Sequence, residues 1–268
     1  MRTVTEFYSA RPLTPEQETT FFEKLRLANG VFKRTADHRL DDLNEIILSR
    51  WHETAFQPRE IMDVGVSSGI STAEWLEGLS RAGLKVRMTA TDLALWGHIV
   101  PLCPGVYVIE TTDGHLLRPI VLGVPILPSW RGYRYFRALV TRIAALRCSR
   151  RNLKKLLLVS PRALRHDAIE WAEDDVLAPN PAQFVRRFDA IRAANILAPC
   201  YFSADQLQRA VANLKDRLAG PNAQLIINRT LADGSNHATM FRLTDANRFE
   251  AEVRVRQGSE IEDIVLRA

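Results

Sequence analysis

The chain reads as an α/β fold, a mostly parallel sheet with helices on both faces. Three observations predict it. An apolar run from Ile61 to Val64 ends in a glycine turn, Gly65 to Gly69, and a helical pattern follows at once. Further apolar segments recur at 86–92, 168–172, 188–197 and 224–229, separated by helical stretches or long connections. Strands alternating with helices call for crossover connections and a parallel sheet. Composition suits one large core with additions: 268 residues, 46% hydrophobic and 25% charged.

In chain order, residues 1–58 read as a helical cover. Thr14-Pro15-Glu16-Gln17-Glu18 supplies a cap, a proline at the first helical position and acids in the first turn. Phe21, Phe22, Leu25 and Leu27 follow, and Asn29-Gly30 ends the helix. A second helix, from about Leu40 to Glu53, carries Leu43, Ile46, Ile47 and Trp51 on one side.

Residues 59–268 form the main domain. Its first strand ends in Asp63-x-Gly65-x-Ser67-x-Gly69. The two glycines permit a tight turn and let a ligand approach the backbone. The helix that starts there offers unpaired N–H groups. Ser67 stands where a dinucleotide fingerprint has its second glycine, and the Gly-Lys-Ser/Thr ending of a phosphate-binding loop is absent. An acid in such a turn suits an ammonium group and repels a phosphate.

The second strand, Val86 to Asp92, ends in a carboxylate where α/β folds bind ribose hydroxyls, and Leu93 follows. The third, 168–172, runs into Glu173-Asp174-Asp175-Val176, and the fourth, 188–197, contains Asn195 near its end. A helix from about Ser203 to Leu218 has Ser203 as N-cap, an apolar stripe of Leu207, Ala210, Val211 and Leu214, and Gly220 just beyond. Strand five is 224–229. Phe249 to Arg256 alternates strictly and Ile261 to Leu266 is apolar, so both are expected as strands of a closing antiparallel hairpin.

These features, in this order, resemble the class I S-adenosylmethionine-dependent methyltransferases over roughly residues 60–93 and 168–230. The resemblance implies a Rossmann-like seven-stranded sheet with S-adenosylmethionine as cofactor and S-adenosylhomocysteine as product. It implies cofactor contacts from Asp63, Gly65, Ser67, Gly69, Asp92, Leu93, Asp175, Val176 and Asn195. Asp92 would take the ribose, Asp175 and the Val176 N–H the adenine. Asn195 would lie near the transferred methyl and is the candidate catalytic residue.

Ala90-Thr91-Asp92 and Phe188 to Leu197, with Tyr201-Phe202 after them, look most like the chemotaxis-receptor methyltransferases. That family's acid after the second loop glycine is replaced by Ile70-Ser71-Thr72, and its arginine before the strand-four asparagine by Ala194. Its substrate is therefore not carried over. His38, Arg192 and Arg229 are the candidate substrate contacts, with Asn228 and His237 weaker ones. Tyr8, Phe32 and Arg34 join His38 as candidates to line the pocket. The expected reaction moves a methyl group to an N or O atom of a small or acidic substrate.

Residues 94–166, between strands two and three, exceed what one crossover helix needs by about fifty residues. Val106 to Glu110, a Thr111-Thr112-Asp113-Gly114 turn and His115 to Leu122 read as a hairpin. A helix is expected over 132–147, with Tyr133, Phe136, Val140, Ile143 and Ala144 on one face, and an apolar strand or buried turn over 156–159. From Gly114 to His166 there are twelve Lys or Arg and no acid. The insertion reads as a lid with a solvated basic face, or as a dock for anionic membrane through Arg134, Arg137 and Arg142. No RNA-binding motif is present, so nucleic acid is not an expected partner.

Cys103, Cys148 and Cys200 are an odd count without Cys-x-x-Cys spacing, and the six histidines are scattered. Neither a disulfide frame nor a metal site is expected. The N-terminus lacks a secretory h-region and no apolar run is long enough to span a bilayer, so a cytoplasmic location is expected, with peripheral membrane contact as a second reading. Two alternatives to a small-molecule methyltransferase stand beside it: a membrane-associated lipid-headgroup methyltransferase docking through the insertion, and a non-catalytic S-adenosylmethionine-binding sensor or partner-binding module.

Overall fold

From Glu60 onward strands dominate the chain, with helices after the first strand, before Gln224 and at the end. The computed structural model describes residues 14–22, 25, 36–104, 106–111, 116–121, 124–125, 135, 138–139, 142 and 154–268. In chain order its elements begin with α1 (Pro15–Phe22), α2 (Asp41–Glu53), β1 (Glu60–Val64), α3 (Ile70–Arg81), β2 (Arg87–Asp92) and β3 (Trp96–Cys103). Then come β4 (Val106–Thr111), β5 (Leu116–Val121), β6 (Val124–Pro125), β7 (Lys154–Leu157), β8 (Ile169–Glu173) and β9 (Ala190–Ala194). The chain closes with α4 (Ala204–Arg217), β10 (Gln224–Thr230), β11 (Asn236–Leu243), β12 (Phe249–Val255) and α5 (Glu262–Arg267).

The described residues fall into two units. One comprises His38–Val66, Ser71–Leu93 and His166–Ala268; the other draws on Met1–Asp37, Ser67–Ile70 and Ala94–Arg165. The two N-terminal helices fall in different units, α1 in the second and α2 in the first. Leu43, Ile47 and Trp51 of α2 are buried in the core of the first unit.

The first unit is built on a seven-stranded sheet in the order β12-β11-β10-β9-β1-β2-β8. β8, β2, β1, β9 and β10 run parallel; β11 and β12 are antiparallel to their neighbours. On one face, α2 and α3 bury Trp51, Trp75, Leu76 and Leu79 against Ile61, Met88, Ala190, Ile226 and Met240. On the other, Leu207, Val211 and Leu214 of α4 and Val265 of α5 pack on Met62, Val64, Ile191, Leu225, Ile227 and Phe241. Covered on both faces, the central strands need apolar residues in both phases, and their alternation is correspondingly weak. α4 begins with a capping box: Gln206 N–H donates to Ser203 Oγ at 3.3 Å, and Ser203 N–H donates to Gln206 Oε1 at 2.9 Å.

The end of the chain departs from expectation. Ile261 to Leu266 is a helix, α5, because Glu262 and Asp263 sit in its first turn, where acids oppose the helix dipole favourably, while Ile261 and Val265 share the buried side. The strand expected there is β11 instead. Its buried residues fall on both sheet faces and are mixed with His237, Thr239 and Arg242, so no clean alternation marks it.

The second unit is a five-stranded antiparallel sheet in the order β6-β5-β4-β3-β7. β4 and β5 pair as a hairpin; the Asp-Gly turn lies outside the described residues. β3 was masked in sequence by Gly97 and Pro101. A Cβ on Gly97 would sit 2.8 Å from the Glu110 carbonyl oxygen, so close backbone approach requires glycine there. Pro101 lies beyond the reach of β7 and beside a bulge, a position that tolerates a missing N–H. Of the expected helix over 132–147, Tyr135, Ala138, Leu139 and Arg142 are helical and exposed; its other residues, with Tyr8, Phe32 and Arg34, lie outside the described residues.

Within this unit α1 is tied down by charge. Ser160 Oγ donates to Glu18 Oε1 at 2.8 Å, Arg162 Nε donates to Glu18 Oε2 at 2.9 Å, and the Arg162 fork holds both oxygens of Asp37 at 2.9 and 3.0 Å. Glu18 is buried, so only this pairing makes its charge tolerable.

Among the acids of the first unit, Glu262 anchors α5. Arg254 donates to its Oε1 at 2.7 and 2.8 Å and Thr239 to its Oε2 at 2.8 Å. The Arg254 hydrogen bond leads in holding the Glu262 carboxyl below its ordinary 4.5, outweighing burial. A depressed carboxylate contributes stability above its unfolded pKa and loses it as pH falls through the folded one. Glu262→Gln is therefore expected to be less stable than the parent near neutral pH, with the gap closing below pH 4.5. Urea unfolding at several pH values checks this; a gap that persists undiminished at acid pH contradicts it.

Candidate functional site

The chain runs from β1 to β2 and β8 on one side and to β9 and β10 on the other, so the strand order reverses between β1 and β9. Open α/β sheets bind ligands at the carboxyl edge of such a reversal. Within the first unit, Gly65, Asp92, Asp175, Val176, Asn195 and Arg229 all lie at or just beyond the carboxyl ends of the parallel strands. Asp63 and Arg192 lie inside β1 and β9.

Gly65 has φ 73°, and its N–H and that of Val66 both donate to the Thr91 carbonyl, at 2.7 and 3.1 Å. A Cβ at Gly65 would meet Ile196 Cγ2 at 2.1 Å. Glycine is thus required twice, by the left-handed backbone and by the loop that follows β9. Ser67 and Gly69 also take positive φ, 57° and 80°, and are grouped with the second unit. There the Ser68 carbonyl accepts the Ser160 N–H at 2.8 Å.

Asp92 ends β2 with 7% of its surface exposed, and its carbonyl accepts the Asp174 N–H at 3.0 Å. This bond brings the loop after β8 beside the end of β2. Asp174 is spent on Arg217, whose Nη1 donates to Oδ2 at 2.6 Å in a pair that is 0% and 3% exposed. Asp175 is exposed; its Oδ1 accepts the Leu177 N–H at 2.9 Å in a local turn. Val176 is buried, and Leu93 is 48% exposed.

Asp63 and Arg192 are each other's partners. They face each other in the β1–β9 register, with Nε to Oδ1 at 3.0 Å and Nη2 to Oδ2 at 2.7 Å. Thr72 Oγ1 donates to Asp63 Oδ2 at 2.7 Å, Arg192 Nη1 donates to Asn44 Oδ1 at 2.8 Å, and the guanidinium lies 4.0 Å from the centre of the Trp75 ring. The arginine side chain is 1% exposed and the aspartate 4%. The expectations that Arg192 holds an acidic substrate and Asp63 a cofactor ammonium are therefore corrected, since each charge is consumed by the other under the sheet face.

Asn195 takes φ 64° and clamps two strand ends. Its Nδ2 donates to Thr230 Oγ1 at 3.0 Å and its Oδ1 accepts the Thr230 N–H at 2.7 Å. Thr230 Oγ1 donates in turn to Asn236 Oδ1 at 2.7 Å, and Asn236 Nδ2 reaches the Arg39 carbonyl at 2.9 Å. Each end of the Asn195 amide makes one such bond, so the residue clamps the loop to the end of β10. Thr230 and Asn236 carried no signal in sequence; a lone threonine at a strand end has no periodicity to betray it. His38 is exposed with φ 61°, its Nδ1 2.8 Å from Asp41 Oδ2 and its N–H donating to Glu74 Oε1 at 2.9 Å. These contacts place it in the turn that opens α2.

Arg229 sits at the end of β10. Its guanidinium lies 5.2 Å from the centre of the Tyr201 ring and Nη2 is 3.5 Å from Cys200 Sγ. Burial works against its charge, but Tyr201, with smaller contributions from Cys200 and Glu260, holds it above the ordinary arginine range. Among the described residues no group of three or more His, Cys, Asp or Glu side chains could hold a metal ion. No helix among them is long and apolar enough to cross a membrane.

The sheet defines an open α/β fold with a buried acid at the end of β2. No protein-family model matches the chain, and no curated protein matches it. Among solved structures it is similar to the N-methyltransferase NodS from Bradyrhizobium japonicum WM9 in complex with S-adenosyl-L-homocysteine, at 15% identity over 79% of this chain and 72% of that one, TM-score 0.38. It is similar to SAM-bound CalS10, an amino pentose methyltransferase from Micromonospora echinaspora, at 12% identity over 76% and 63%, TM-score 0.36. A further likeness is the CMeT domain of the citrinin polyketide synthase, at 16% identity over 64% of this chain, TM-score 0.33. This chain spans only 28% of that structure's length.

Removing one partner of the buried pair leaves the other charge stranded. Asp63→Ala is expected to cost about 3–5 kcal/mol, whereas Asp63→Leu combined with Arg192→Met should recover most of that loss. Urea unfolding of the three variants decides it; a single variant as stable as the parent would show that the pair is not what the geometry says.

Proposed function

We propose that the chain is an S-adenosylmethionine-dependent methyltransferase of class I, acting on an N or O atom of a small, anionic acceptor. The observation that carries this reading is the Asp92 carboxylate, 7% exposed at the end of β2, one strand from the Gly65 turn and the strand reversal. A buried acid at that strand end suits paired ribose hydroxyls. Its neighbours, Glu173 and Asp175, make the edge acidic. An acidic edge repels the phosphates of a dinucleotide and favours a cationic nucleoside.

These residues fit the cofactor. Asp92 would accept from the ribose, while Asp175 and the Val176 backbone would serve the adenine. When bound, S-adenosylmethionine supplies a methyl group already activated by a sulfonium, with S-adenosylhomocysteine left behind. The chain's own task is then alignment and exclusion of water rather than strong base catalysis. Asn195 fits that division of labour as a positioning residue: through Thr230 it holds the loop after β9 against the end of β10. Asp63 and Arg192 support the floor beneath without touching a ligand.

Calorimetric titration with S-adenosylhomocysteine, with NAD as the control, tests the reading. Binding of the former, weakened at least about tenfold in Asp92→Ala, is expected. Preference for NAD, or no binding of S-adenosylhomocysteine by well-folded protein, would overturn it. Binding without methyl transfer to any acceptor would favour a sensor module instead.

A further inference from the structure

We propose that Arg229, Tyr201 and His237 form an oxyanion subsite at the end of β10, and that the methyl acceptor is held there by a carboxylate or phosphate group. The subsite itself stands on geometry alone; its use by the acceptor rests on the methyl-transfer reading.

The argument starts from charge pairing. Arg162, Arg187, Arg192, Arg217 and Arg242 are all partly or fully buried, and each has a carboxylate oxygen within 3.1 Å. Withdrawing a guanidinium from water is costly unless an anion answers it. Arg229 is also partly buried, yet among the described residues no carboxylate lies within ion-pair distance of it. Its near neighbours are an aromatic ring and a thiol. Glu260 acts on it only through longer-range attraction.

Geometry then indicates what is missing. Tyr201 lies against the guanidinium and also hydrogen-bonds it, which orients the planar fork. Arginine carries five N–H donors in that fork, matched to the two oxygens of a carboxylate or phosphate. Tyr201 and, weakly, Cys200 Sγ take up part of the fork, and the remaining N–H donors are available to an anion. His237 stands directly across from Arg229 in the β10–β11 pairing, so the two side chains share a sheet face, the one covered lower down by α4. Cys200 and Tyr201 are exposed, so solutes can reach the cluster. Its place is next to the strand reversal: β10 pairs with β9, and Thr230, the residue after Arg229, is the one Asn195 clamps.

The test uses the full chain, with inorganic phosphate and acetate as probes and chloride at matched ionic strength as the reference. Saturable thermal stabilisation by at least one of the two is expected, with the half-saturating concentration raised at least about tenfold in Arg229→Gln, the loss of one charge-assisted hydrogen bond or more. Arg229→Lys keeps the charge but loses the fork, so it should fall between. Should Arg229→Gln fail to fold, Tyr201→Ala removes the orienting ring and should weaken the anion likewise. Equal stabilisation of parent and variants, or none beyond chloride in the parent, overturns the subsite. S-adenosylhomocysteine affinity should be unchanged in Arg229→Gln. Anion binding without S-adenosylhomocysteine binding would leave the subsite standing and remove the cofactor reading. In turnover, acceptors bearing a carboxylate or phosphate should be methylated and their amides or neutral esters lost by tenfold or more; equal use of both would remove the acceptor assignment alone.

Discussion

The Asp63–Arg192 pair decides how the central sheet is assembled. Moving both charges out of water costs several kcal/mol per ion before their attraction is counted. The structure offsets this by satisfying the pair from four elements: Thr72 and the Ser71 carbonyl of α3, Asn44 of α2, and the two strands themselves. What the pair confers is register. Asp63 and Arg192 are direct partners across β1 and β9. Slipping β9 by one residue would turn Arg192 to the opposite face, into the cluster of Met62, Val64, Leu207 and Val211 with no acid to meet it. The strand pair at which the order reverses is therefore locked in register.

The edge above it inherits that precision. Gly65 lies two residues beyond Asp63, and Asn195 three beyond Arg192. Both take left-handed backbone, Gly65 because a side chain would strike Ile196, Asn195 because its amide returns to Thr230. The hydrogen-bond chain Asn195, Thr230, Asn236 and Arg39 then ties the ends of β9 and β10 to the start of α2. At these strand ends left-handed backbone and a chain of hydrogen-bonded side chains occur together, a combination that holds backbone in place.

Legibility in sequence followed periodicity. α4 was readable almost to the residue, because Ser203, a four-position apolar stripe and Gly220 all agree. β1, β2, β9 and β10 were readable as apolar runs with punctuation. β11 was not, since its covering on both faces leaves no alternation and its polar residues are spent on partners far away in the chain, as Thr239 is on Glu262. α5 looked like a strand because six residues are too few to separate a period of 3.6 from a period of 2. The edge residues Gly65, Asp92 and Arg229 were legible as types at strand ends. The fates of Asp63, Arg192 and Asn195 were not, because a charged or amide side chain in a strand reads the same whether it meets a ligand or a neighbouring strand.

Acidic and basic residues at the carboxyl edge are sorted along it. Asp92, Glu173 and Asp175 stand at the ends of β2 and β8. Arg229, with His237 beside it, stands at the end of β10, on the other side of the reversal. The buried pairs Asp63–Arg192 and Asp174–Arg217 are internally neutral and add little to this field. A ligand spanning the edge would therefore feel attraction for positive charge at one end and for negative charge at the other. The proposed cationic nucleoside and anionic acceptor would match that pattern, one at each end. Binding energy taken from groups remote from the reacting atoms is then available to align them. Such an edge needs no strong base between the two halves, only the backbone clamp that fixes their separation.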